Sequence, residues 1–243
     1  MNIRVDASYK EYNGKEVLRI DELCFKEGYV YALMGLNGSG KTTLLQCVSG
    51  IEPFTKGAVL YDNCRYEEHT KRDISVMLQN PYLFNFSVLE NIIIGLKFRK
   101  FNKKEIKKRI ESYVSYFDIK DLFNKNAREL SGGERAKVSL IRTAILESKI
   151  TFLDEPTASM DIENTLIAEK LIKTMAKGSR SVVLVTHDLL QAGRVADYVI
   201  FLDKGKIIEQ GLVDKVLNFP EHKLLKQILN RGDGNDKNSD INY

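Results

Sequence analysis

Gly35-Leu36-Asn37-Gly38-Ser39-Gly40-Lys41-Thr42-Thr43 decides the fold. An apolar run, Tyr29 to Met34, precedes it and reads as a buried strand. Leu44, Leu45 and Val48 follow at helical spacing. Strand, glycine-rich turn and helix in that order is the setting of a phosphate-binding loop. Gly35, Gly38 and Gly40 let the backbone approach a polyphosphate without Cβ clashes. The loop N–H groups and the helix N-terminus then supply positive potential. Lys41 can reach β- and γ-phosphate oxygens, and the Thr42 hydroxyl is a hard donor for Mg²⁺. Thr43 is placed toward the α-phosphate, and Asn37 and Ser39 complete the loop. The chain is therefore expected to bind a nucleotide, and the loop alone leaves its class open.

The remaining chain reads as α/β. Its 243 residues are 43% hydrophobic and 29% charged, ordinary for a globular protein. No apolar run approaches the roughly 18 residues of a membrane span. Met1-Asn2-Ile3-Arg4-Val5-Asp6 opens directly into strand-like alternation, so no secretion signal is expected. Cys24, Cys47 and Cys64 lack metal spacing and read as small buried residues in a reducing compartment. The net charge of +4 is concentrated between Lys97 and Arg109. With Ile106, Ile110, Tyr113, Val114 and Phe117 at helical spacing, that run reads as one amphipathic helix with a basic face. The face is either solvated or held near anionic headgroups. No aromatic-studded basic groove accompanies it, so no nucleic-acid partner is expected.

Further motifs follow in order. Ile3 to Val5 and Val17 to Ile20 read as strands of a small antiparallel sheet, turned at Tyr12-Asn13-Gly14-Lys15. Tyr9 or Tyr12 could stack on an adenine, and position favours Tyr12. Gly57 to Tyr61 and Ile74 to Leu78 read as strands, the second ending at Gln79-Asn80-Pro81. A glutamine there is either polar filler or a contact to Mg²⁺ and the attacking water. Residues 82 to 148 read as an inserted, mostly helical segment, with Ser87 a cap. Within it, Ser131-Gly132-Gly133-Glu134 opens a long helix, as a capping box or as a second anion site. Ile150 to Leu153 is a strand ending in Asp154-Glu155. Asp154 can hold Mg²⁺, and Glu155 can take a proton from water attacking the γ-phosphate. Val182 to Val185 ends at Thr186-His187, where His187 can donate to that phosphate. Asp197 to Leu202 and Lys206 to Glu209 form a closing hairpin. Residues 1–231 are expected to form a single domain and 232–243 a disordered polar tail.

Together these residues resemble the nucleotide-binding subunits of ABC (ATP-binding cassette) transporters. The first loop is similar to Walker A, Gln79 to the Q-loop, and Leu130 to Glu134 to the signature. Ile150 to Glu155 is similar to Walker B, Ser159-Met160-Asp161 to the D-loop, and His187 to the H-loop. The resemblance implies a P-loop NTPase core with a small antiparallel β subdomain and an inserted α-helical subdomain. It implies an ATPase using ATP and Mg²⁺, with Thr42, Gln79 and Asp154 on the metal and Glu155, His187 and Gln79 catalytic. It also implies a head-to-tail dimer in which Ser131, Gly132 and Gly133 bind the partner's ATP. The partners would be a membrane permease and, indirectly, an extracytoplasmic solute-binding protein, at the cytoplasmic face of the membrane. The sequence departs from the family at Leu36, at Glu134-Arg135-Ala136-Lys137 and at Met160. Asn124 to Glu129 lacks the Val-Gly-Glu of exporters. Pro81 to Phe84 through Ser87 to Asn91, Gly95-Leu96 and Gln191 to Arg194 look most like importers of tungstate or molybdate. The alternative is a non-transport cassette such as an iron–sulfur assembly ATPase.

Overall fold

The computed structural model describes residues 1–232, without the side chains of 68, 69 and 230–232. β1 (Ile3–Tyr12) and β2 (Lys15–Phe25) form the first hairpin, longer at both ends than the alternating pattern predicts. Asn13 (φ 51°) and Gly14 (φ 75°) both sit at positive φ, the two-residue turn that matches strand twist. β3 (Val30–Gly35) leads through the loop to α1 (Lys41–Val48). β4 (Lys56–Tyr61) and the short β5 (Cys64–Arg65) complete an antiparallel sheet in the order β2-β1-β4-β5. A helix not anticipated from sequence, α2 (Glu68–Asp73), precedes β6 (Ile74–Met77).

The helical segment differs from expectation. The basic run is two helices, α3 (Val88–Phe98) and α4 (Lys103–Val114), not one. Lys100 adopts φ 61° and ends the first, and Asn102 caps the second through a reciprocal box with Glu105. Nor are all its cations solvated. Arg99 donates to the carbonyls of Ile74 and Leu146 and to Ser148 Oγ, and burial pushes its pKa down. Arg109 donates to the Ile145 carbonyl, pairs with Glu147 and covers the Phe101 ring. α5 (Gly132–Ala144) starts at Ser131, whose hydroxyl accepts from Glu134 N while the Glu134 carboxylate accepts from Ser131 N.

β7 (Ile150–Asp154), α6 (Ile162–Met175), β8 (Ser181–Val185) and α7 (Leu189–Val195) follow. Then come β9 (Tyr198–Asp203), β10 (Lys206–Leu212), α8 (Val213–Asn218) and α9 (Lys223–Gly232). The helix α9 takes in Gly232, and the remainder of the expected tail lies outside the described residues.

The main sheet runs β10-β9-β3-β8-β7-β6, parallel except at β10. Parallel strands are covered on both faces and so read as continuous apolar runs. In β3, Val30, Ala32 and Met34 join the core shared with α3, α5 and α6. Tyr31 and Leu33 join the core beneath the antiparallel sheet and α1. Val88, Ile92 and Leu96 bury one face of α3 at successive turns. Of the cysteines only Cys47 is buried; Cys24 and Cys64 are exposed, contrary to the sequence reading, because Cys24 faces away from buried Leu23 and Phe25 in β2 and Cys64 lies in β5, both residues of which are exposed. The segment before α3 is unusual: Tyr82, Phe84 and Phe86 are exposed. It is held from within by buried Asn91, which accepts from Phe84 N and donates to the carbonyls of Phe84 and Ser87.

Candidate active site

Strand register assembles the site. Leu33, Val185 and Asp154 share one row across β3, β8 and β7, and Met77 lies beside Leu153. The chain leaving each strand therefore reaches the same edge, where open parallel sheets bind ligands. Gly35, Glu155, His187 and Gln79 emerge there.

The resulting cleft has a volume of about 1070 Å³. Tyr12, Gly35, Asn37, Gly38, Gly40, Lys41, Thr42, Thr43, Gln79, Glu155 and His187 line it. Gly35 is required by close approach: at φ 144°, an added Cβ would lie 2.2 Å from the Leu202 carbonyl oxygen. Ser39, expected to contact nucleotide, does not line the cleft: it is buried, its N–H is on the Leu36 carbonyl, and its Oγ has no partner among the described residues. Lys41 Nζ donates to the carbonyls of Gly35 (2.9 Å) and Leu36 (3.0 Å). Burial lowers its pKa, and the Glu155 and Asp154 carboxylates work against that.

Thr42 Oγ1 donates to Asp154 Oδ2 at 2.9 Å. Asp154 is buried, which raises its pKa; the Thr42 hydrogen bond and Lys41 oppose the rise, and Glu155 adds to it. Beside it, Glu155 takes a left-handed backbone (φ 46°) with its N–H on the Val185 carbonyl. This turns consecutive carboxylates apart. Gln79 Nε2 donates to Glu155 Oε2 at 3.0 Å, and His187 Nδ1 lies 3.2 Å from Oε1. One carboxylate is thus gripped at both oxygens from two other strands.

The residues fit a magnesium nucleotide. Gly35, Gly38 and Gly40 line the place for the phosphates, and Thr42 and Asp154 are hard oxygen donors already in contact. Gln79 commits its amide nitrogen to Glu155, which leaves its carbonyl oxygen as a third donor. Ser131, Gly132 and Gly133 do not line the cleft. Gly132 instead borders an adjoining hollow of about 380 Å³ with Gln79, Tyr82, Glu155 and Ser159. A Cβ at Gly133 would lie 3.1 Å from the Ser159 carbonyl oxygen. Val17, Met34, Leu36, Leu189, Phe201 and Ile228 also line the cleft. Sequence reading assigned them no place in it. Leu189, two residues after His187, carried a positional signal; Ile228 carried none.

A phosphate loop after β3, facing carboxylates at the end of β7 across the intervening β8, defines a P-loop nucleotide hydrolase. The sequence matches the ABC transporter family over residues 18–158, more than half of its length, and the chain belongs to that family. It is similar to a tungstate uptake ATP-binding protein of Peptoclostridium acidaminophilum, 39% identical across 86% of this chain and 98% of the relative. An L-cystine import ATP-binding protein of Bacillus subtilis is 31% identical across 94% and 98%. Among solved structures, an ATP-binding subunit of an ABC transporter shares the fold, with a TM-score of 0.83 at 21% identity over 95% and 100%. A dimeric bacterial ABC transporter cassette has a TM-score of 0.79 at 26% identity over 87% and 98%. A related dimer in a post-hydrolysis state carries ADP and phosphate. The chain is accordingly an ATP-binding subunit and an ATPase that takes Mg²⁺ with its nucleotide. No helix among the described residues is long and apolar enough to cross a membrane.

Proposed function

We propose that this chain is the energy-coupling ATPase of an importer, acting as a head-to-tail pair at the cytoplasmic face of a separate membrane permease. The observation that carries the catalytic assignment is the convergence of Gln79 and His187 on the two oxygens of Glu155. Glu155 takes the proton of the attacking water as its oxygen bonds to the γ-phosphorus, and the bond to the β–γ bridging oxygen breaks to give ADP and phosphate. Gln79 holds the carboxylate in place for that transfer, and the His187 N–H passes from Glu155 to the γ-phosphate once ATP is bound. Lys41 offsets charge on the β and γ oxygens. Thr42, Asp154 and Gln79 would hold Mg²⁺, which would supply charge neutralisation to the triphosphate.

The positions of Ser131 to Gly133 away from their own cleft favour service to a second copy's nucleotide. The exposed rings of Tyr82, Phe84 and Phe86, beside Gln79, favour that segment as the permease contact. The tungstate uptake relative suggests a tetrahedral oxyanion as the cargo delivered by a solute-binding protein. The test is the complex of this chain with its permease in proteoliposomes holding ATP. Tungstate-loaded binding protein should stimulate ATP hydrolysis, and the unloaded protein should not. Stimulation by cystine-loaded binding protein instead would reassign the cargo. An absence of permease association would sink the transport role.

A further inference from the structure

The tip of the first hairpin is strapped to the chain that leaves the phosphate-loop helix. Thr55 N donates to the Tyr9 carbonyl at 2.9 Å, and Glu11 N donates to Thr55 Oγ1 at 2.9 Å. Onto this strap a side-chain cluster is added. The Tyr12 hydroxyl donates to Glu52 Oε2 at 2.5 Å. Lys10 Nζ lies 3.2 Å from the same oxygen, donates to the Pro53 carbonyl at 2.9 Å, and stands 5.0 Å from the Tyr12 ring centroid. The proton stays on the tyrosine and the charge on the glutamate: Glu52 pushes the hydroxyl up to about 12, while Tyr12 and Lys10 hold the Glu52 carboxyl down. The ring is thereby held at its hydroxyl end by a carboxylate and over its face by an ammonium, while it lines the nucleotide cleft.

We propose that Glu52, with Lys10 as its counter-ion, is a positioning residue for the nucleobase: it fixes the Tyr12 ring at a set distance from the phosphate loop. This rests on the reading of Tyr12 as the adenine platform. A ring free to rotate must be immobilised when a base stacks on it, and a ring already held is spared that cost, equivalent to about three- to tenfold in affinity. Because Glu52 follows α1 by four residues and Lys41 opens α1, base and triphosphate are gripped from the two ends of one helix. The hydroxyl, committed to Glu52, is also withdrawn from any hydrogen bond to the edge of the base.

Binding of ATP and of inorganic tripolyphosphate, which has the phosphates without the base, separates this role from a general structural one. Glu52→Ala should weaken ATP binding and raise its KM about three- to tenfold, change kcat less than twofold and leave tripolyphosphate affinity as it was. Glu52→Gln, which keeps an acceptor for the hydroxyl, should restore most of the ATP affinity. Tyr12→Phe should match Glu52→Ala, and the double variant should be no worse than either. Equal losses for ATP and tripolyphosphate in Glu52→Ala would overturn the proposal, since the residue would then act through the shape of α1. Unchanged ATP affinity in Glu52→Ala with a loss in Tyr12→Ala would overturn it too, but keep Tyr12 as the platform. Unchanged affinity in Tyr12→Ala would remove the platform itself.

Discussion

The Thr42 hydroxyl and the Asp154 carboxylate, 112 residues apart in sequence, meet at 2.9 Å where the phosphate loop faces the end of β7. The burial of Asp154 has a pH consequence that this contact only partly offsets. Burial raises the Asp154 pKa, so the folded chain binds that proton more tightly than the unfolded one. The contribution favours folding at low pH and is lost as pH rises from the ordinary carboxylate range through the raised value. At pH 7 the charged carboxylate is a net cost. Asp154→Asn should therefore raise the Tm of the protein without nucleotide. It should abolish the further stabilisation by magnesium and ATP together. Calorimetry at pH 5 and 7 checks both, with the gain smaller at pH 5.

Glu155→Gln keeps the shape of the side chain and one acceptor for Gln79, and removes the ability to take a proton. Hydrolysis should fall by about 10²–10⁴-fold while ATP affinity stays near that of the parent. Light scattering should then find an ATP-held dimer that does not dissociate. Turnover near the parent rate would remove Glu155 from the role of base.

Lys41→Ala removes a buried cation whose present partners are two loop carbonyls. Charge-assisted contacts to phosphate are strong, so ATP affinity should fall about ten- to a hundredfold. Fluorescent-nucleotide titration measures it, and an unchanged Kd would place the triphosphate elsewhere.

Ser131→Arg takes away the cap of α5, at about 1 kcal/mol, and puts a bulky cation at its N-terminus. The variant should melt lower and bind ATP as the parent does, yet fail to pair in its presence. Dimerisation with ATP, seen by analytical ultracentrifugation, would exclude a signature contact across the pair.

Local signals were legible where the chemistry is local. Asn13-Gly14 marked its hairpin, the glycine loop marked β3 and α1, and the uninterrupted apolar runs marked the strands of a two-sided sheet. The basic segment misled because its apolar spacing continues across Lys100, while the break depends on one left-handed residue and the Asn102–Glu105 box. Arg99 and Arg109 looked solvated because the carbonyls that claim them come from β6 and from residues 145–146. The edge on which Gln79, Glu155 and His187 lie follows from strand ends, so their shared location could be read. That both neighbours grip the same carboxylate depends on register and on the φ of Glu155, which no pattern encodes. The bond from Tyr12 to Glu52 spans 40 residues and left no trace in spacing.

Asn91 spends a fully buried amide on the backbone of Phe84 and Phe86, and Arg142 donates to the Tyr82 carbonyl, so that three aromatic rings stand outward against their ordinary tendency to turn inward. Those rings form a stiff handle, set before anything takes hold of it. Force passed through a slack segment would be absorbed in rearranging it; a partner seated on these rings would meet a backbone already fixed to the core.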